Sequence, residues 1–176
     1  MIKKNLGFTL IEIIVAVGVF SFVVTIMGSS FAQMIKLQRR ALSAQKIQEN
    51  SMFVLELMAR EIRVSTVQSG NMACTNPGNF GTSLAITHPV SGTISYRSSN
   101  GIVYRTEGGI ETSISSQDVN FSQLYFCIKG SGLDTVQTRI GIIAQVENTT
   151  GIASDKLIFN LQTTVTSRNT SNEFQN

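Results

Sequence analysis

Residues 8–31 are apolar at almost every position, and Glu12 is the one ionisable side chain among them. About 24 residues at roughly 1.5 Å of rise make a helix of about 36 Å, enough to cross the hydrocarbon core of a bilayer with some tilt. The pattern then changes. Gln33, Lys36, Gln38, Arg39 and Arg40 interleave with Met34, Ile35, Leu37 and Leu42, which places this half of the helix in water. Further on, Ile47, Val54, Leu55, Met58 and Ile62 recur at helical spacing and predict a stripe lying on a core, with Glu49, Glu56, Arg60 and Arg63 facing outward. No Pro lies between residues 8 and 67, and Gly only at 18 and 28. One continuous helix is therefore predicted, running up to Ser69-Gly70-Asn71 and weakest at Gly28-Ser29-Ser30, where backbone entropy and side-chain competition for carbonyls soften it.

After Gly70 the period shortens to two. Residues 83–87 read as a short strand, and 93–97 and 102–106 flank Ser98-Ser99-Asn100-Gly101, where Asn-Gly favours a hairpin turn. Val119 and Phe121, then Leu124, Phe126 and Ile128, change phase once, which predicts a bulge near Ser122-Gln123. Val136 to Val146 and Leu157 to Val165 alternate cleanly. Each strand offers one apolar face, and the helix stripe is its natural cover. The fold class is α+β: a long N-terminal helix, membrane-spanning in its first half and amphipathic in its second, packed on an antiparallel β-sheet. The expected divisions are a short basic segment at 1–7, a transmembrane helix at 8–32, an amphipathic half at 33–68, a β-rich globular domain at 69–168 and a polar tail at 169–176; that 1–7 is a leader and 69–168 extracytoplasmic is what the resemblance given below implies. Residues 72–80 and 149–155 read as loops.

Charge alters this picture only slightly. Fourteen Lys and Arg stand against eleven Asp and Glu, and Lys3 and Lys4 precede the apolar run, so the remainder is near neutral. It offers no basic patch, and no nucleic-acid partner is predicted. Lys3 and Lys4 before the apolar run are almost matched by Lys36, Arg39 and Arg40 after it, so charge alone does not orient the span.

Chemistry is sparse. The single His, His88, precedes Pro89 and reads as a turn or strand-end residue, without the partners a relay or zinc site needs. Asp134 and Asp155 lie in separate polar loops without the regular oxygen spacing of a calcium site. No phosphate loop, nucleophile elbow or paired-acid signature is present, so the chain is read as a non-enzyme with no cofactor and no metal. Cys74 and Cys127 are the only cysteines. They form either a disulfide, closing about 53 residues and contributing at most about 4 kcal/mol, or a pair of buried thiols.

Glu12 is the anomaly. A carboxylate inside a membrane span costs on the order of 2.5–3.5 kcal/mol at the helix centre, and such groups usually face a partner rather than lipid. The surrounding residues, Gly7-Phe8-Thr9-Leu10-Ile11-Glu12 preceded by Lys3-Lys4, resemble the class III leader and N-terminal helix of type IV pilins and of the pseudopilins of type II secretion; the resemblance extends to about Phe22. It implies that a membrane-embedded prepilin peptidase cuts between Gly7 and Phe8 and methylates the new amine of Phe8. It further implies an N-terminus in the cytoplasm, a globular domain outside the inner membrane, and Glu12 serving assembly with other pilin or pseudopilin subunits. After such a cut the Phe8 amine and the Glu12 carboxylate are one helical turn apart, and each can also meet its opposite on a neighbouring copy. Residues 48–63 are similar to the second half of the helix in J-type pseudopilins and W-type minor pilins, and the membrane helix lacks the Pro that many major pilins carry, so a minor subunit is expected.

Two other readings remain open. Ser30-Phe31-Ala32 before Gln33 approximates a signal-peptide cleavage site, although the apolar run exceeds the usual roughly 7–15 residues. That reading gives a secreted soluble β-rich domain. The other is a single-span anchored binding domain unrelated to filaments.

Overall fold

The structure, a computed structural model, describes residues 7–67, 72–75, 77–130, 137–149 and 156–167. Leader residues 1–6, the expected helix stop at 69–71, Asp134, Val136, Asp155, most of the 149–155 loop and the 169–176 tail lie outside them. The chain divides into two compact units, Met1–Leu42 and Ser43–Asn176. One helix, α1, runs Leu10–Val64. It passes through Gly28-Ser29-Ser30 without a break; Ser29 Oγ bonds its own helix at the Ile26 carbonyl, 2.9 Å away.

In the second unit Ile47, Val54, Met58 and Ile62 are fully buried, joined by Ser51 and Ala59, while Leu55 packs at the margin. Glu49, Glu56, Arg60 and Arg63 are exposed. This is the 3.6-residue stripe expected from the sequence, and it is the face on which the sheet residues Leu84, Ile94, Phe121, Phe126, Ile140 and Val146 close a core. The helix stops at Val64, short of 69–71. Ser65 ends it: its amide bonds Ile62 O at 3.2 Å and its hydroxyl Glu61 O at 2.7 Å, satisfying last-turn carbonyls. The β-branched residues of β1, Thr66–Val67, then pair with β2, Ser83–His88.

The strands are antiparallel and fall into two sheets. The first has the order β1-β2-β3-β4-β5, with β3 at Gly92–Ser99, β4 at Ile102–Glu107 and β5 at Ile110–Ser113. The second is β6-β7-β8, at Val119–Lys129, Arg139–Asn148 and Ile158–Thr166. The β3–β4 hairpin turns at Asn100 and Gly101, φ 51° and 77°, the left-handed pair that an Asn-Gly hairpin requires. A register shift between Phe121 and Gln123 marks the bulge. It bends β6, which is tied to the neighbourhood of the first sheet at Gly81, paired with Phe126, at Gly101, whose carbonyl accepts from Phe121 N at 2.8 Å, and at Ser98, whose hydroxyl donates to Phe121 O at 3.3 Å. The strand β5, four residues all exposed, has no alternation to betray it in the sequence.

Cys74 and Cys127 are joined by a disulfide with Cα atoms 4.8 Å apart. It pins residues 72–75 along β6, beside backbone bonds from Cys74 N to Ile128 O and from Ile128 N to Met72 O. A polar lock ties the helix to the first sheet. Arg105 Nε lies 3.1 Å from both oxygens of Glu61, Arg105 Nη1 reaches Glu107 at 2.5 Å, and the buried Tyr96 hydroxyl donates to Glu61. Burial above all, and then the Glu61 carboxylate, raise the Tyr96 pKa well above its ordinary value. Hydrogen bonds from Ser91 and Arg105 hold the Glu107 carboxyl below the usual range. His88 ends β2, and its Nδ1 accepts from the amides of Val90 and Ser91, both at 3.2 Å, closing the turn into β3.

Candidate functional site

The candidate site is the first unit's N-terminal segment. Every described residue from Gly7 to Leu42 is exposed within the chain, including Phe8 at 82 %. An apolar surface of this extent is unstable in water and is at home in lipid or against other apolar helices. Three of the segment's hydroxyls bond their own helix: Ser29 Oγ to Ile26 O, Ser21 Oγ to Val17 O at 2.8 Å and Thr25 Oγ1 to Ser21 O at 2.8 Å. Hydroxyls that fold back on the helix carbonyls remove the cost of carrying them through hydrocarbon. By length and composition the helix is able to cross a membrane.

Glu12 sits in the first turn, where Thr9-Leu10-Ile11-Glu12 forms a capping box. The Thr9 amide and hydroxyl each donate to Glu12 Oε2 at 3.2 Å, and the Glu12 amide lies 3.4 Å from Thr9 Oγ1. The carboxylate thus meets the Thr9 amide and hydroxyl and the positive end of the helix dipole before any second molecule is involved. Sequence reasoning singled out Glu12 as a charge seeking a partner and missed Thr9. The signal was present, since Thr followed three positions later by Glu at the start of an apolar run is the sequence signature of such a cap.

Gly7 and Phe8 precede the helix and take no helical conformation. The site residues therefore fall into two places: Gly7, Phe8 and Glu12 together around the helix start, and Cys74 with Cys127 in the second unit. Among the described residues no group of three or more His, Cys, Asp or Glu is placed to hold a metal ion.

Residues 2–28 match the prokaryotic N-terminal methylation motif. That motif is the class III prepilin leader, and with the long apolar helix it supports a type IV pilin or pseudopilin-like subunit, anchored in a membrane. It points to a structural role rather than an enzymatic one, with processing by a prepilin peptidase and assembly with other pilin subunits implied. No curated protein and no solved structure matches the chain.

Proposed function

We propose that this chain is a minor pilin or J-like pseudopilin, a structural subunit built into a type IV pilus or type II secretion filament through its N-terminal helix. The observation that carries the reading is the methylation motif at 2–28, placed on a helix whose sole ionisable side chain between residues 8 and 31 is Glu12. Prepilin peptidase cuts after Gly7 and methylates Phe8. The protein crosses the inner membrane once, with the β-rich domain extracytoplasmic. Loss of the leader frees an amine next to the Thr9–Glu12 cap. The Glu12 carboxylate then exchanges its contacts with Thr9 for that amine or for the amine of an adjoining subunit, and pairing of two desolvated charges selects the helix register as subunits add.

The test is co-expression with an active prepilin peptidase, followed by mass spectrometry of the N-terminal peptide and recovery of sheared filaments or of a secretion complex. The expected product starts at N-methylated Phe8. Glu12→Leu is expected to insert in the membrane normally and to be depleted from the filament. A mature chain starting at Gln33, or full incorporation of Glu12→Leu, overturns the proposal.

A further inference from the structure

Where β6 leaves the first sheet a cleft of about 330 Å³ opens, bounded by Thr82, Asn100 and residues 120–125. Its ends are closed by the chain itself. At one end Gly81 and Phe126 exchange both backbone hydrogen bonds, 2.9 and 2.8 Å, and at the other Phe121 N bonds Gly101 O. Backbone groups of an antiparallel strand alternate sides, so Leu124, two residues before Phe126, also turns its N–H and C=O away from β7. Among the described residues neither group of Leu124 has a hydrogen-bond partner on that side, and Leu124, 3 % exposed, forms part of the cleft's floor.

The side chains around this unpaired backbone pair are polar and uncharged. Among the described residues the side chains of Thr82, Asn100, Gln123 and Tyr125 make no hydrogen bond, in contrast to Ser98, which donates to Phe121 O, and Ser122, which donates to Gln145. The Tyr125 phenol is the only ionisable group in the lining. The same character continues beside the cleft on the outer face of the second sheet, where Gln123 lies opposite Gln145, and Gln145 opposite Asn160, whose Oδ1 accepts from Gln145 Nε2 at 3.0 Å; the charge on that face lies towards the strand ends, at Lys129, Arg139 and Glu147, and Glu147 is bonded by Asn120 and Lys156.

Free donors and acceptors in one recess, an aromatic ring at its wall and no charge are the chemistry that recognises a neutral polyhydroxylated ring. A peptide strand would use the Leu124 backbone pair as well, but it has to run on past both ends, and Gly81 and Gly101 already occupy those positions along the edge. We propose that this cleft is a binding site for a neutral saccharide, held by the Leu124 backbone and the side chains of Thr82, Asn100, Gln123 and Tyr125.

The experiment uses the full chain in lipid nanodiscs, free of sugar-based detergent, titrated with maltotriose, mannotriose and tri-N-acetylchitotriose while the backbone amide of Leu124 is followed by NMR. At least one trisaccharide is expected to shift that amide saturably at up to about 20 mM, and Gln123→Ala or Tyr125→Phe is expected to weaken it about fivefold. Thr112→Ala, exposed on β5 and outside the cleft, should leave the titration unchanged and reports that the fold is intact. Preference for the N-acetylated sugar assigns the site to cell-wall glycan, and preference for the hexose polymers to a glycan met outside the cell; either supports the site. No shift with any of the three overturns it, as does tighter displacement by dextran sulfate or by a short β-forming peptide.

Discussion

Gly141 lies opposite Cys127 in the β6–β7 register, and a Cβ added there would sit 2.8 Å from Cys127 Sγ and 3.8 Å from Cys74 Sγ. A free thiol would swing aside. A sulfur bonded to Cys74, on a segment itself bonded to Ile128, has no such freedom. Gly141→Ala should therefore force β6 and β7 apart locally, an overpacking cost of about 1–3 kcal/mol. Gly141 does not use left-handed backbone, so Ala is otherwise acceptable and returns about 0.4–1 kcal/mol through the unfolded chain. The net expectation is a loss of about 1–2 kcal/mol with the bridge present. In a Cys74→Ala/Cys127→Ala background the obstacle is gone and the same substitution should be neutral or slightly stabilising. That background is itself weaker by up to about 4 kcal/mol on the chain-entropy account of a loop this long. The assay is urea unfolding of all four proteins followed by circular dichroism, read as a double-mutant cycle with a coupling of about 2 kcal/mol. If Gly141→Ala changes stability by the same amount in both backgrounds, to within about 0.5 kcal/mol, the steric argument is wrong.

Further outcomes follow from the helix–sheet lock and the hairpin. Arg105→Ala leaves Glu61, whose side chain is 17 % exposed, without its cation and should cost about 2–4 kcal/mol in thermal or urea unfolding. Glu61→Gln should cost less, because Arg105 keeps Glu107. The Tyr96 pKa is raised in the folded state, so the folded protein holds that proton more tightly. Its contribution is complete below the unfolded tyrosine value of about 10 and declines as pH rises beyond it. A stability profile measured from about pH 8 to about pH 12 should fall above about pH 10 more steeply for the wild type than for Tyr96→Phe. Gly101→Ala combines a φ of +77° with a Cβ 1.8 Å from Asn120 Oδ1. It should lower the urea midpoint by an amount equivalent to about 1–3 kcal/mol.

Much of the fold was legible because it rests on periodicity. Ile47, Val54, Met58 and Ile62 declared a buried stripe by spacing alone, Asn100-Gly101 declared a hairpin, and the phase change after Phe121 declared the bulge. What remained hidden depends on partners far apart in the chain. Nothing near Glu61 announces that Arg105 and Tyr96, more than thirty positions away, will meet it. The separation into two sheets was likewise invisible, because strand alternation records which face is covered but not which neighbour a strand lies beside. At the candidate site the order was reversed. Glu12 was conspicuous as a charge, and its engagement with Thr9 was overlooked because an acid in an apolar run draws attention to distant partners before local ones.

The position of the helix start bears on maturation. An endoprotease must draw its target into an extended shape, and a bond inside a coil of amide-to-carbonyl links yields only after several of those links are undone. Here the peptide joining Gly7 to Phe8 lies upstream of Leu10, ahead of the first wound residue. The proposed scission at that bond would therefore remove the lead-in without unravelling any of the rod that follows, and until then the Thr9–Glu12 clasp holds the first turn closed.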